Sequence, residues 1–481
     1  MVKFSIDMND YTKSKINLLL RRLAIFSAFI LLFSLLPLDK VQAQATSYPY
    51  YVVLEGDTFY GIAVRFDCTL DELLNINGMN AESLLRPGDR LKIPSFPGMK
   101  GTLTTEYVPL GSSLTSLSRK SQAQASDLIR ANKLTSPSEL FIGRDIIMTH
   151  LDDSPNMATM SSIKQSQSFF EASILAGQNT WKLTEMNRLE NPLRGLPMDT
   201  YFMPSEIESP SNLAIPGVQE IVIENLPLIQ GDTFLVIVRS NQPVNVRAIL
   251  ADIEPVFIDL GNGLQMGYGG IHALQDVGVY PLTMEFSGQG GETYRFDQYV
   301  IISSGNYETD PPLTVDPATV DSPEEKTENE MFAQYVNPVT PEQYWDGLWY
   351  SPAQDADCIT SKFGSRRTYN DNPRVYYHAG LDLGYCRGID VFAPADGVVV
   401  AVLPDLIVRG NTIVIDHGMG IHTVYMHLKE FNVSQGERVE KEQLIGLIGS
   451  TGRSNGPHLH FEVNVHGTPV NPETWLRRAF P

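Results

Sequence analysis

The chain has 481 residues, more than one ordinary hydrophobic core accommodates, so three or more domains are expected. Its 56 acidic and 36 basic residues leave a formal charge of -20, which argues against nucleic acid as a partner. Part of the excess is local: between Asn306 and Phe332 eight Asp or Glu face one Lys, a net -7.

The first element in chain order is a targeting segment over residues 1–45. A basic stretch with Lys13, Lys15, Arg21 and Arg22 precedes an apolar run from Leu23 to Leu38, and small residues follow at Ala43 and Ala45. The apolar run is short for a membrane span and ends at a cleavage-like site, so the pattern is that of a signal peptide. An uncleaved N-terminal anchor is the alternative. Either way the remainder is expected outside the cytoplasm, in the cell envelope or beyond it, and no second apolar run is long enough to span a membrane.

Residues 49–95 predict a βααβ unit. A short strand reaches Gly56-Asp57, and Phe59, Ile62, Ala63 and Phe66 follow at the spacing of an amphipathic helix. Thr69 and Glu72 form a capping box for a second helix, and Pro87-Gly88 turns the chain into a closing strand. The stretches EGDTFYGIA, ELLNIN and LLRPGDRLKIP resemble the lysin motif, LysM. A constant offset of 55 carries Gly56, Leu73, Asn77 and Gly88 onto Gly111, Leu128, Asn132 and Gly143. A further 55 carries Asn77 onto Asn187, Pro87 onto Pro197 and Pro94 onto Pro204. Two degenerate LysM-like units are therefore expected at 106–150 and 160–205. The resemblance implies binding of glycans containing N-acetylglucosamine, with Gly56, Asp57 and Thr58 lining a groove opposite Leu84. Those residues equally suit a plain turn and helix cap.

From 215 to 305 the pattern changes to period two, in IVIEN, DTFLVIVRS, VNVRAILAD, VYPLTMEF and YRFDQYVIIS. Turns break these runs at short spacing, as in an immunoglobulin-like β-sandwich. Asp276-Val277-Gly278-Val279-Tyr280 resembles a tyrosine corner, and His272 reads as structural. The acidic, Pro-bearing residues 306–345 then read as a linker.

Seven of the nine histidines follow residue 377. His378 and Asp382, four apart on an extended segment, face one way and are both zinc-ligand types. His427 closes a β run, TVYMHL. In GPHLHFEV, His458, His460 and Glu462 share one strand face, which suits either a metal site or a half-exposed strand. Export permits a disulfide, and Cys358 and Cys386 fall in one domain, at 350–478, where they form a possible bridge; Cys68 reads as a buried thiol.

HxxxD, a strand-borne HL and GPHLHFEV, in this order, resemble the lysostaphin-type zinc endopeptidases, the LytM-like or M23 peptidases. The resemblance runs from about Cys358 to Leu476 and implies a small antiparallel β-sheet domain. Carried over, His378, Asp382 and His460 become ligands of one Zn2+, and His427 and His458 the catalytic pair. Three protein ligands leave a position for water, as catalytic zinc requires. His417 is expected to shape a loop, and His422 and His466 to occupy exposed strand positions. Asn411 reads as a substrate-orienting or turn-capping residue, Tyr425 as an oxyanion contact or packing residue, and Glu462 as support for the ligand His. The expectation is a multidomain, mainly β protein: an exported zinc endopeptidase acting on peptidoglycan, with LysM units holding the glycan. The alternative is a catalytically inactive regulator of other cell-wall hydrolases.

Overall fold

The computed structural model describes residues 47–481 apart from 152–156, 161–166, 197–198, 205–212, 214, 289 and 371. The targeting segment at 1–45 and Pro197 therefore lie outside the described residues. No described helix is long and apolar enough to cross a membrane.

The first unit runs β1 (Tyr50–Val52), α1 (Phe59–Arg65), α2 (Leu70–Ile76) and β2 (Arg90–Lys92). Thr58 caps α1 by accepting the Gly61 amide at 3.0 Å, and Thr69 and Glu72 close the capping box of α2. Tyr51, Ile62, Phe66, Leu73, Leu91 and Ile93 bury their side chains together. Cys68, expected as buried, is a free and only partly buried thiol whose pKa burial pushes up.

The second unit repeats the order as β3 (Thr102–Tyr107), α3 (Leu114–Ser121), α4 (Ala125–Asn132) and β4 (Asp145–His150). The third has β5 (Met157–Met160), α5 (Phe169–Leu175), α6 (Thr180–Met186) and β6 (Tyr201–Pro204). Units one and two share one sheet, ordered β2-β1-β3-β4. The offset of 55 carries the same asparagine latch from unit to unit. Asn77 donates to the Leu73 carbonyl, one helical turn back, and exchanges two hydrogen bonds with the backbone of Lys92. Asn132 does the same with Leu128 and Ile147, and Asn187 with Leu183 and Phe202. Each latch ties the second helix to the closing strand.

Next come β7 (Val218–Glu224), β8 (Leu228–Ile229), β9 (Thr233–Ser240), β10 (Val244–Leu250), β11 (Phe257–Asp259), β12 (Leu264–Gly270), β13 (Gly278–Gly288) and β14 (Thr293–Ser303). They form two four-stranded sheets, β10-β13-β14-β8 and β11-β12-β9-β7. Phe234, Val236 and Val238 of one sheet pack against Ala248, Leu282, Met284 and Val300 of the other. Tyr280 donates its hydroxyl to the Asp276 carbonyl at 2.7 Å. His272 packs edge-on against Tyr377 and accepts the Leu274 amide. β9 departs from the expected alternation because its second face is buried too. Leu235 and Ile237, with Met266 and Tyr268 of β12, join a core that also holds Trp345, Trp349, Trp475 and Phe480.

The linker expected at 306–345 is instead a docked element. The amides and carbonyls of residues 308–313 bond in parallel fashion to residues 366–370. Helix α7 (Pro323–Val336) follows, with Phe332 and Val336 buried against Ala401, Val414 and Val424. Its acids find partners that composition cannot reveal: Glu328, buried, accepts from the Val408 amide and from the Arg409 amide and guanidinium.

The C-terminal unit begins with β15 (Ile359–Ser361), the pair β16 (Arg366–Arg367) and β17 (Tyr376–Tyr377), β18 (Leu381–Leu383) and β19 (Asp390–Phe392). It continues through β20 (Gly397–Leu406), β21 (Gly410–Gly418), β22 (Ile421–Met426), β23 (Glu430–Phe431), β24 (Arg438–Val439) and β25 (Leu444–Leu447). β26 (Leu459–Val465), β27 (Thr468–Val470) and α8 (Pro472–Arg477) complete it. The main sheet is ordered β15-β18-β26-β22-β21-β20-β24, with β27 on β26, and β19-β25-β23 form a second layer. Cys358 and Cys386 are disulfide-bonded, their Cα atoms 6.0 Å apart.

Candidate metal centre

Strand register assembles the site. β18 pairs antiparallel with β26 so that Asp382 stands opposite His460, and His378 precedes β18 by three residues. His378 Nε2 lies 2.9 Å from Asp382 Oδ1 and 3.0 Å from His460 Nδ1, and the last two atoms are 2.8 Å apart. Gly380 is needed for this approach. A Cβ there would meet the Phe461 carbonyl oxygen at 2.5 Å and His460 Nε2 at 2.7 Å.

Second hydrogen bonds set the tautomers. His378 Nδ1 donates to the Lys362 carbonyl at 2.8 Å, leaving Nε2 as a lone pair. His460 Nε2 donates to Glu462 Oε1 at 3.1 Å, leaving Nδ1, and Asn464 steadies the other Glu462 oxygen. Two imidazole lone pairs and one carboxylate oxygen thus converge. Tetrahedral zinc places its ligand atoms about 3.3 Å apart, so this donor set fits zinc with little adjustment. Among the described residues it is the one group of three His, Cys, Asp or Glu so arranged.

Electrostatics agree with a cation site. Burial opposes the Asp382 carboxylate, yet the charge and hydrogen bonds of His378 and His460 outweigh it and hold its carboxyl well below the usual range. Burial likewise opposes the His460 imidazolium, but bonds to Asp382 and Glu462 push its pKa up to about 9, and a cation at the site would replace the Nδ1 proton that bonds Asp382. Burial pushes His378 down.

His427 and His458 stand beside the triad, with ring centroids 4.9 Å apart, and His427 is 6.0 Å from His460. His427 Nδ1 donates to the Thr451 carbonyl at 2.7 Å and His458 Nδ1 to the Gly456 carbonyl at 2.8 Å. Each therefore leaves Nε2 as an acceptor when neutral. Burial, then the charges of His460 and His458, push His427 down to about 3. All five residues line one groove of about 610 Å³, which also holds Arg367, Arg409 and Arg453. The sequence reading did not single out these arginines. Their acidic partners lie 57, 81 and 128 residues away, so no local signal marks them.

Several neighbours differ from expectation. Tyr425 is fully buried and faces away from the groove. His427, one residue past β22, has φ +63°, which breaks the alternation that would place the two on one face. The Tyr425 hydroxyl donates to Thr423 Oγ1, which donates to His417 Nε2, whose Nδ1 donates to the Asp396 carbonyl. His417 is thus held inside the sheet, and burial pushes its pKa down to about 4. His422, expected as exposed, is fully buried 3.6 Å from Asp416, and His466 is largely covered because Gly420 packs against its ring. His422 lies on a strand face that other elements cover, and His466 sits in the turn between β26 and β27 with φ +48°. Asn411 caps a turn, accepting the Asp405 amide at 3.0 Å.

In the first N-terminal unit Gly56 takes φ +85°, and Thr58 is the helix cap. Asp57 is engaged internally, accepting from the Tyr51 hydroxyl and the Leu54 amide and pairing with Arg65 at 3.2 Å. Leu84 is exposed.

Two family models match parts of the chain. Residues 376–472 match the model of peptidase family M23, and residues 51–94 and 108–149 match the LysM domain. Over 123 residues the chain is 39% identical to an uncharacterized metalloprotease of Haemophilus influenzae, covering 26% of each chain. Over 113 residues it is 43% identical to the peptidoglycan DD-endopeptidase ShyA of Vibrio cholerae, covering 24% of this chain and 26% of that one. A crystal structure of a zinc containing peptidase from Vibrio cholerae aligns over 90% of this chain and 99% of its own, at 17% identity and a TM-score of 0.25. The chain spans about a quarter of the length of the curated relatives it matches.

Proposed function

We propose that this chain, which carries an M23 peptidase domain and two LysM domains, is an exported zinc endopeptidase that hydrolyses peptide stems or cross-links of peptidoglycan. One observation carries the reading: three converging ligand atoms share a groove with two histidines whose Nε2 atoms are left as acceptors. Zinc held by His378, Asp382 and His460 would supply Lewis acidity to a peptide carbonyl and to water. His427 and His458 accept the proton of the attacking water and return it to the departing amine as the C–N bond breaks. Their carbonyl anchors keep both rings aimed during the transfer. Glu462 and Lys362 hold the ligand histidines in the binding tautomer.

The LysM domains tether the enzyme to glycan strands and raise the local concentration of stems. In the first LysM domain, Gly56, Thr58 and exposed Leu84 are the available contacts, whereas Asp57 serves as the internal partner of Tyr51 and Arg65. A substrate in the wall and LysM tethers support a location in the cell envelope or outside the cell. A catalytically inactive regulator would not need the complete five-residue set.

The test uses the full chain. Wild type should bind zinc near one equivalent and release peptides with new termini from peptidoglycan, identified by mass. His460→Ala should lose both. His458→Ala should keep the metal and lose about 10²–10⁴-fold in turnover. Folded, zinc-loaded wild type that cleaves no peptidoglycan peptide would refute the enzyme and favour the regulator.

A further inference from the structure

The docked acidic segment and the C-terminal domain meet through four acid–arginine pairs. Asp310 accepts from Arg367 at 2.9 Å, Asp321 pairs with Arg374 at 2.8 Å, Glu325 stands 3.7 Å from Arg453, and Glu328 accepts from Arg409 at 2.9 Å. The pairs are of two kinds. Glu328 is anchored by two backbone amides and by buried Phe332 and Val336 on its helix, and Asp321 by Tyr376 and Asn372. Asp310 and Glu325 line the metal groove, together with Arg367 and Arg453, and among the described residues the segment's only anchor for their carboxylates is the Asp321 amide on Glu325. Arg367 lies 3.8 Å from the far oxygen of Asp382, and Arg453 stacks over Tyr369 at 4.9 Å. Two guanidinium forks, suited to carboxylates, thus line the groove: Arg367 donates to Asp310 and to the Ser361 hydroxyl, and Arg453 donates to the Thr319 carbonyl with Glu325 at 3.7 Å.

We propose that Arg367 and Arg453 recognise carboxylates of the peptide substrate, and that Asp310 and Glu325 occupy those places until the substrate displaces them. The inference rests on the peptidase reading, whose substrate peptides carry free carboxylates. The remaining anchors of the segment keep it attached while its two groove acids exchange. Such a tethered competitor lowers the fraction of protein ready to bind and raises KM by the same factor, while the chemistry is untouched.

The test compares the full chain with its Asp310→Asn, Glu325→Gln double variant, which retains Glu328, Phe332 and Val336. Two forms of one stem peptide serve as substrates, with carboxylates free or amidated. For the free acid, KM should fall about tenfold with kcat little changed, and the amidated peptide should respond little. Adding Arg367→Gln or Arg453→Gln to the double variant should raise KM for the free acid alone. An unchanged or raised KM in the double variant, or equal effects on both peptides, would overturn the proposal. Should no protein cleave despite bound zinc, the peptidase reading fails by itself. Titration with the two peptides then decides recognition: tighter binding of the free acid to the double variant upholds it, and equal binding sinks it.

Discussion

His427 shows how one backbone dihedral assigns roles to a run of side chains. Left-handed φ is costly for a non-glycine residue, and here the Arg409 and Thr451 carbonyls hold the turn by accepting from the His427 amide and ring. The turn sends His427 into the groove and leaves Tyr425 inside the sheet. Tyr425→Phe should therefore leave kcat within about twofold while lowering stability by about 1 kcal/mol, one neutral hydrogen bond. A large loss of kcat with unchanged melting would restore the oxyanion role. Glu462→Gln should weaken zinc affinity roughly 10–100-fold by loosening the His460 tautomer, measured by competition with a chelator. His417 supplies a pH prediction. Its folded pKa of about 4 lies below the unfolded value, so between about pH 6.5 and 4 the unfolded chain takes a proton that the folded chain refuses. Stability is full above that window and falls by roughly 3 kcal/mol as pH drops through it. Imidazole NMR should find His417 still neutral at pH 5, and titration near 6.5 would contradict its burial.

At the scale of elements, the segment from 306 to 345 is the clearest departure from the sequence reading. Eight acids with one lysine look like a solvated linker, and local charge contains no record of arginines 50 or more residues away. The apolar signal was present but short: Phe332 and Val336, four apart, form the buried stripe of α7. Phe332 also lies 4.2 Å beneath the Arg409 guanidinium. Phe332→Ala should cost about 3–5 kcal/mol, the range for a buried Phe, and free α7. Thermal melting and protease cleavage within 306–336 would register both effects, and a wild-type pattern would mean that the helix is held elsewhere. The three N-terminal repeats behave in the opposite way. Their asparagine latch spans 15 residues and needs no distant partner, so a fixed offset in the sequence exposed it three times.

For the whole molecule, the sandwich and the C-terminal domain share one core. Tyr268 packs on Trp345, Trp475 and Phe480 and donates its hydroxyl to the Pro481 carbonyl, and Trp475 donates to Thr233. Residues 350–478 expressed alone would lose Tyr268, Trp345, Trp349 and Phe480 from that core and expose a broad apolar face. That fragment should melt well below residues 215–481 or self-associate, as judged by calorimetry and light scattering. Equal melting with a monomeric fragment would show that the shared core is dispensable.

What the sequence determined by itself were the features encoded by spacing: the repeats, the period-two strands, and the five histidine and aspartate positions that the groove brings together. Each is local, because helix, strand and turn geometry act over a few residues. The tertiary structure decided the rest. It paired β18 with β26 so that Asp382 meets His460, buried His417 and His422, and covered the second face of β9. It also folded an acidic stretch along the groove onto arginines far away in the chain. Those outcomes depend on which distant surfaces meet, and burial and charge pairing act between such surfaces without regard to separation along the chain.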